Sequence, residues 1–126
     1  DFTANATLKA ADVADGDTVI IVAGASDKGM GAAGINAASE IARANEFAAK
    51  NGTINVIVVQ LGGSVRRGST SDAIFAAVCP AAKVNLIITS ADSDGKFSNE
   101  WSKDKPLYFY SRGSKMVDSF KFILGK

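Results

Sequence analysis

The sequence contains no histidine and a single cysteine, Cys79. Without histidine the chain lacks the commonest general base and the commonest zinc ligand, which argues against zinc chemistry and against ordinary acid-base catalysis. One cysteine excludes a disulfide within the chain, and Cys79 lies in an apolar predicted helix, where a thiol is usually inert. Ser26 and Ser69 have no histidine to activate them. We therefore lean away from an enzyme and predict neither a metal nor a cofactor.

Net charge and long apolar runs are also missing. Fourteen basic and thirteen acidic residues leave a formal charge of +1, so no overall field favours nucleic acid or an anionic membrane. The longest apolar runs have the length of strands, far below the roughly 20 residues of a membrane-spanning helix. We predict no nucleic-acid partner and no membrane insertion, so that any partner must be recognised locally.

The residues that are present suffice for one domain, since 126 residues with 47% hydrophobic side chains can bury one core. Apolar runs rich in β-branched or aromatic residues predict four strands, at 18–23, 54–60, 84–89 and 107–110. Predicted helices at 32–50, 71–78 and 115–124 follow the first, second and fourth strands. We expect a single α/β domain over residues 1–126 with a three-layer, doubly wound, mostly parallel sheet of flavodoxin or Rossmann type. Because four strands are few for this fold, we expect a preceding βα unit or a partner chain to complete an edge.

A loop of small residues follows the first strand and opens into the first long helix. Ligands of doubly wound sheets bind beyond the carboxyl ends of the strands, where this loop lies. Free backbone N–H groups and the helix dipole favour an anion there, and the candidate contacts are Ser26, Lys28, Gly29 and Gly31. The alternative is that these small residues only let the helix pack closely on the sheet.

The same loop matches the dinucleotide pattern G-x-G-x-x-G at Gly29, Gly31 and Gly34. That pattern should follow its strand directly, whereas residues 25–28 intervene here. Gln60 also stands where the carboxylate that binds a ribose would be expected after the second strand. We therefore do not predict a dinucleotide cofactor.

The loop after the second strand carries two adjacent arginines among glycines and hydroxyls. Guanidinium groups supply planar donors suited to carboxylate, phosphate or sulfate, so this loop predicts a second wall of an anion site. The alternative is that the arginines are solvated or paired with Asp72 and Asp27. Ser71 or Asp72 would then simply cap the next helix. The candidate ligand contacts in this loop are Gln60, Gly62, Gly63, Arg66, Arg67 and Ser69.

Residues 89–96, after the third strand, predict a polar and acidic third wall. Asp92 and Asp94 faintly resemble a calcium loop, but no glutamate follows at the required position, so no metal site is predicted. Trp101, Tyr108 and Tyr110 could line a pocket, although aromatic residues near a short strand more often cover the core or an edge.

Two long strings carry a resemblance to a known family: G-A-S-D-K-G-M-G-A-A-G-I-N at residues 24–36 and G-G-S-V-R-R-G-S-T-S-D at residues 62–72. With a weaker match at residues 94–97, the chain resembles uncharacterised exported bacterial proteins that are known only as a domain of unknown function. The resemblance covers most of the chain. It implies a further strand and helix before residue 1, a periplasmic or extracellular location after signal cleavage, and close approach of the two loops. It implies no activity.

Two hypotheses from different classes remain. The first is a non-catalytic extracytoplasmic module that binds a small anionic molecule at the loops after strands one and two. The alternative is a structural or assembly protein that forms homo-oligomers, or pairs with another chain, through an exposed sheet edge. An enzyme comes third, because an anion-binding loop is predicted without an activated nucleophile.

Overall fold

The computed structural model describes residues 8–23, 36–50, 52–112 and 115, and the statements of structure below refer to these ranges. The predicted contacts Ser26, Lys28, Gly29 and Gly31 lie outside the described residues. So does the predicted closing helix at 115–124, apart from its first residue. The loops after the second and third strands are described in full.

Four strands form one parallel sheet in the order β1-β2-β3-β4. They are β1 (Thr18–Ala23), β2 (Asn55–Gln60), β3 (Val84–Ile88) and β4 (Leu107–Tyr110). The prediction of a parallel α/β sheet with four strands is confirmed. These segments read as continuous apolar runs because parallel strands between covering layers bury side chains on both faces.

Two α-helices connect the first three strands: α1 (Ala37–Ala49) lies between β1 and β2, and α2 (Ser69–Val78) between β2 and β3. The amino end of α1 is capped by Asn36, whose Oδ1 accepts a hydrogen bond from the Ser39 N–H at 2.8 Å. Pro80, two residues after the end of α2, lies in the next turn. The shorter elements are 3-10 turns at Ala10–Asp12, Gly63–Arg66, Cys79–Ala81 and Thr89–Asp92, and a π-helical turn at Phe97–Trp101.

Both faces of the central strands β2 and β3 are buried. Val56 and Val58 pack with residues of α1, α2 and the π-helical turn in the larger core cluster. On the opposite face lies a second cluster whose members are no more than 6% exposed: Ile57, Val59, Leu86 and Ile88. Burial of both faces agrees with the predicted three-layer arrangement.

The strand order has a consequence for the site. Each connection joins neighbouring strands, and right-handed crossovers then place α1 and α2 on the same face. Their shared core cluster agrees with this placement. No reversal of strand order occurs among the four described strands, so they contain no switch-point crevice of the kind that holds ligands in doubly wound sheets. A site in the described residues must instead be built by the loops at the carboxyl edge.

Candidate functional site

The loops after β2 and β3 meet at the carboxyl edge of the sheet. The Ser64 N–H donates to Ser90 Oγ at 3.2 Å, and Arg67 Nη1 donates to the carbonyl oxygen of Ala91 at 2.6 Å. The second and third predicted walls are therefore neighbours.

Gln60, a predicted ligand contact, is fully buried at the end of β2. Its Nε2 donates to the Gly63 carbonyl oxygen at 2.7 Å, and its Oε1 accepts from the Gly63 N–H at 2.9 Å. Both polar groups of the side chain are thus used inside the protein. Gln60 clamps the turn that follows β2, and its side chain is closed to solvent.

The glycine pair after β2 permits two close approaches. Gly63 has φ +64°, the left-handed region, and a Cβ at this position would overlap Ser90 Oγ. A Cβ at position 62 would overlap Cγ of Arg66, so the stem of Arg66 lies across Gly62. One glycine lets the two loops touch, and the other makes room for an arginine side chain.

Arg67 is held by a network that uses all five of its N–H donors. Nε donates to Asp72 Oδ1 at 2.6 Å, and Nη2 donates to Asp72 Oδ2 at 3.2 Å. Nη1 and Nη2 reach the two carboxylate oxygens of Asp94 at 3.0 and 2.8 Å, and the remaining Nη1 donor is the one that reaches Ala91. Its guanidinium carbon lies 4.9 Å from the ring centre of Trp101, in a cation-π contact. We call Arg67, Asp72, Asp94 and Trp101 the arginine brace.

The electrostatics of the arginine brace favour the charged forms. Hydrogen bonds, first to Asp72 and then to Asp94, raise the pKa of Arg67 above its ordinary value. The hydrogen bond from Arg67, helped by the Lys96 N–H, lowers the pKa of Asp94 to about 2. Arg67 and Asp94 therefore stay ionised through the physiological pH range, and Arg67 has no donor left for a ligand.

Arg66 has the opposite environment. It is exposed, and its guanidinium makes no hydrogen bond or ion pair with the part of the chain that the structure describes. Exposed hydroxyls lie close to it in sequence at Ser64 and Ser69, the latter being the first residue of α2. Gly68, the N-cap of α2, offers no side chain to the first N–H groups of that helix. Arg66 is therefore a cation at this edge that remains available to an anion.

The acidic loop after β3 serves the fold. Asp92 Oδ1 accepts from the Phe97 N–H at 2.7 Å and Oδ2 accepts from Ser98 Oγ at 2.8 Å, which caps the π-helical turn. Asp94 belongs to the arginine brace. Within the described ranges, no group of three histidine, cysteine or carboxylate side chains is placed to hold a metal ion.

Two further candidate residues lie in the core. Cys79 is fully buried, and burial raises the pKa of its thiol to about 12, so the thiolate is strongly disfavoured. Trp101 packs against Phe75 and Phe97 and lines the core. The sequence left open whether Trp101 lines a pocket or covers the core, and the structure shows that it covers the core.

Sequence reasoning named the Arg67–Asp72 pair among its alternatives, but it missed the contact from Arg67 to Asp94. The signal in the sequence was the weaker family resemblance at residues 94–97, and Asp94 lies 27 positions after Arg67.

The chain matches a family model described as Domain of unknown function (DUF6305) over residues 1–123. No curated protein and no solved structure matches the chain. Among the described helices, none combines the length and the apolar character needed to cross a membrane.

Proposed function

The chain belongs to the DUF6305 family, and for this member we propose a non-catalytic extracytoplasmic module that binds a small anionic ligand at the carboxyl edge of the sheet. The observation that carries the proposal is the division between two adjacent arginines. Arg67 has every donor engaged inside the protein, whereas Arg66 has an exposed guanidinium with no described partner. We therefore assign the ligand contact to Arg66 and a supporting role to Arg67.

The position of Arg66 suits an anion. Its side chain crosses Gly62, so packing limits the directions in which the guanidinium points. The helix α2 begins three residues later, and the positive end of its dipole and its first N–H groups favour negative charge. The exposed Ser69 hydroxyl adds a donor at the same helix start.

The rim around Arg66 is ordered before any ligand arrives. The Gln60 clamp fixes the turn after β2, and the arginine brace ties this loop to the loop after β3. A fixed rim lowers the entropy cost of binding, because few groups remain to be immobilised.

The test is calorimetric titration of the protein with inorganic sulfate, phosphate and citrate. Arg66→Gln removes the charge and should weaken binding by roughly 10- to 100-fold, the value of a hydrogen bond to a charged group. Its midpoint of thermal unfolding should not change, since Arg66 makes no described contact that folding requires. The matched control is Lys103→Gln, which removes one exposed positive charge from the turn before β4, at the opposite edge of the sheet. Equal affinities for the two variants would refute the assignment of Arg66.

The exported location is part of the proposal and has its own test. It is supported by the resemblance carried by residues 24–36 and 62–72. Cell fractionation of the native host, with antibody detection, should find the protein outside the cytoplasm, and detection in the cytoplasm alone would contradict this part.

The assembly alternative is favoured by β4. This strand ends the described sheet, and it exposes Tyr108 by 53% and Phe109 by 43% on opposite faces. Unpaired backbone groups beside exposed aromatic side chains can add a strand from another chain. Sedimentation equilibrium tests this: an oligomer that Tyr108→Lys dissociates would favour assembly, whereas a monomer at all concentrations would refute it.

A further inference from the structure

Large apolar side chains are exposed at few places in the described chain, and most of them share one location. Three of the five lie at the carboxyl ends of β1 and β2: Val22 at 61% exposure, Leu61 at 48% and Val65 at 84%. The other two are the aromatic residues of β4. We call Val22, Leu61 and Val65 the aliphatic lip.

Strand register brings part of the aliphatic lip together. Val22 of β1 is paired with Val59 of β2, and Leu61 is two residues beyond Val59. Side chains alternate along a strand, so Val22 lies on the face of Ile20, and Leu61 continues the odd-numbered set of Ile57 and Val59. That set and Ile20 belong to the same core cluster, on the sheet face away from α1 and α2. Diagonal neighbours on one face are within reach of each other.

Arg66 stands beside this lip. Its stem lies across Gly62, the residue next to Leu61, and Val65 precedes it in the same 3-10 turn. The available cation therefore lies within five residues of two exposed aliphatic side chains, Leu61 and Val65. An inorganic anion would use the cation and leave the aliphatic groups in water.

Resting on the proposed function, we infer that the ligand is a small amphipathic anion: a carboxylate, sulfate or phosphate head on Arg66 with an alkyl or aryl body over the aliphatic lip. Such a molecule removes apolar surface from water on both sides while the guanidinium binds the head. Charge and apolar surface then serve one ligand.

The experiment is a calorimetric series with inorganic sulfate and with butyl, hexyl and octyl sulfate below their micelle concentrations. Burial of a methylene is worth up to roughly fourfold in affinity, so each added carbon should tighten binding by about two- to fourfold. Hexanol, which has the body without the charge, should bind far more weakly than hexyl sulfate.

Substitutions distinguish the contribution of the anionic head to affinity from that of the apolar body. Val65→Ser and Leu61→Ser should reduce the gain per carbon, whereas Arg66→Gln should weaken every alkyl sulfate by a similar factor. The matched control is Tyr108→Ser, which removes an exposed apolar side chain at β4 and should leave the series unchanged.

The outcomes distinguish the two proposals. If sulfate binds through Arg66 with no dependence on chain length, the amphipathic ligand is refuted and the anion-binding function stands. If hexanol binds as tightly as hexyl sulfate, or if no anion of the series binds, the anion-binding function is refuted and this inference with it. Binding to vesicles of phosphatidylglycerol without binding to any soluble alkyl sulfate would overturn the inference in favour of a membrane surface.

Discussion

Two fully buried amide side chains lie near opposite ends of the sheet, and their surroundings differ. At the carboxyl end of β2, Gln60 has both its oxygen and its nitrogen hydrogen-bonded to Gly63. Near the amino end of β3, Asn85 is equally buried, yet neither its Oδ1 nor its Nδ2 has a hydrogen-bond partner in the part of the chain that the structure describes.

Burial alone therefore does not set the contribution of a polar group to the free energy of unfolding. A buried amide with both ends bonded can fix a turn, whereas a buried amide without partners lowers the free energy of unfolding. The carboxyl edge has satisfied polar groups throughout the Gln60 clamp and the arginine brace, as expected of a region that must hold its shape. Near the amino end of β3, the amide of Asn85 makes no hydrogen bond to any described residue.

The largest effect on the free energy of unfolding is expected from replacing Arg67, which lies at the centre of the hydrogen-bonded network at the carboxyl edge. Arg67→Met keeps much of the volume but leaves the carboxylates of Asp72 and Asp94 without their partner. Because these carboxylates are partly exposed, we expect the free energy of unfolding to fall by about 2–4 kcal/mol, at or below the range for a buried pair. Urea denaturation followed by fluorescence of Trp101 measures it. The control Arg66→Met should change the value by less than about 0.5 kcal/mol, and equal losses would show that the brace does not stabilise the fold.

Apolar replacement of each amide tests the comparison directly. Gln60→Met leaves the Gly63 N–H and carbonyl groups without partners and should lower the free energy of unfolding by about 1–3 kcal/mol. Asn85→Leu removes an unsatisfied amide from the core and should raise it by about 1–2 kcal/mol. Changes of the same sign in urea denaturation would mean that the two amides do not differ as described.

A smaller loss is expected where a methyl group is inserted between the two loops. Gly63→Ala places a Cβ against Ser90 at a positive φ and should lower the free energy of unfolding by about 1–2 kcal/mol. The comparison variant is Gly68→Ala, whose backbone is extended and whose Cβ would meet no atom within 4 Å. Differential scanning calorimetry should show a lower midpoint for position 63 alone, and an equal shift at position 68 would contradict the close approach.

The smallest effect is expected from acid. The pKa of Asp94 is lowered in the folded state, so its contribution is present above about pH 4 and is lost as the pH falls through about 2. A carbon-detected NMR titration should give a midpoint near 2 for the Asp94 carboxyl. The midpoint should return towards the ordinary value in Arg67→Met, and a midpoint that does not move would show that Arg67 is not the cause.

The sequence sufficed for the strands because their signal is local. Runs such as residues 18–23 and 107–110 are apolar and bounded by turn residues, and the structure begins and ends both strands at the same positions. The π-helical turn at Phe97–Trp101 escaped prediction because five residues are too few to show a helical period.

The candidate site could be predicted only in part. Carboxyl-edge loops follow from strand direction, so the location of Arg66 and Arg67 was accessible. Which of the two arginines is hydrogen-bonded inside the protein depends on its contact with Asp94, and the spacing of apolar residues in the sequence does not predict that contact. The unsatisfied amide of Asn85 could not be predicted for another reason. Asn85 occupies a helix-facing position inside an apolar strand, where a single polar residue does not disturb the apolar pattern.

The strand order also bears on how the protein is made. β2, β3 and β4 each pair with the strand that directly precedes them in the chain. A nascent chain leaving the ribosome can therefore add one strand at a time to a growing sheet, without waiting for distant segments. The arginine brace is the exception, because it joins the segment after β2 to Asp94 and Trp101 and is complete only once residue 101 has emerged. During synthesis, the rim of the site is thus completed only after β3 has followed β2, although Arg66 and Arg67 lie directly after β2.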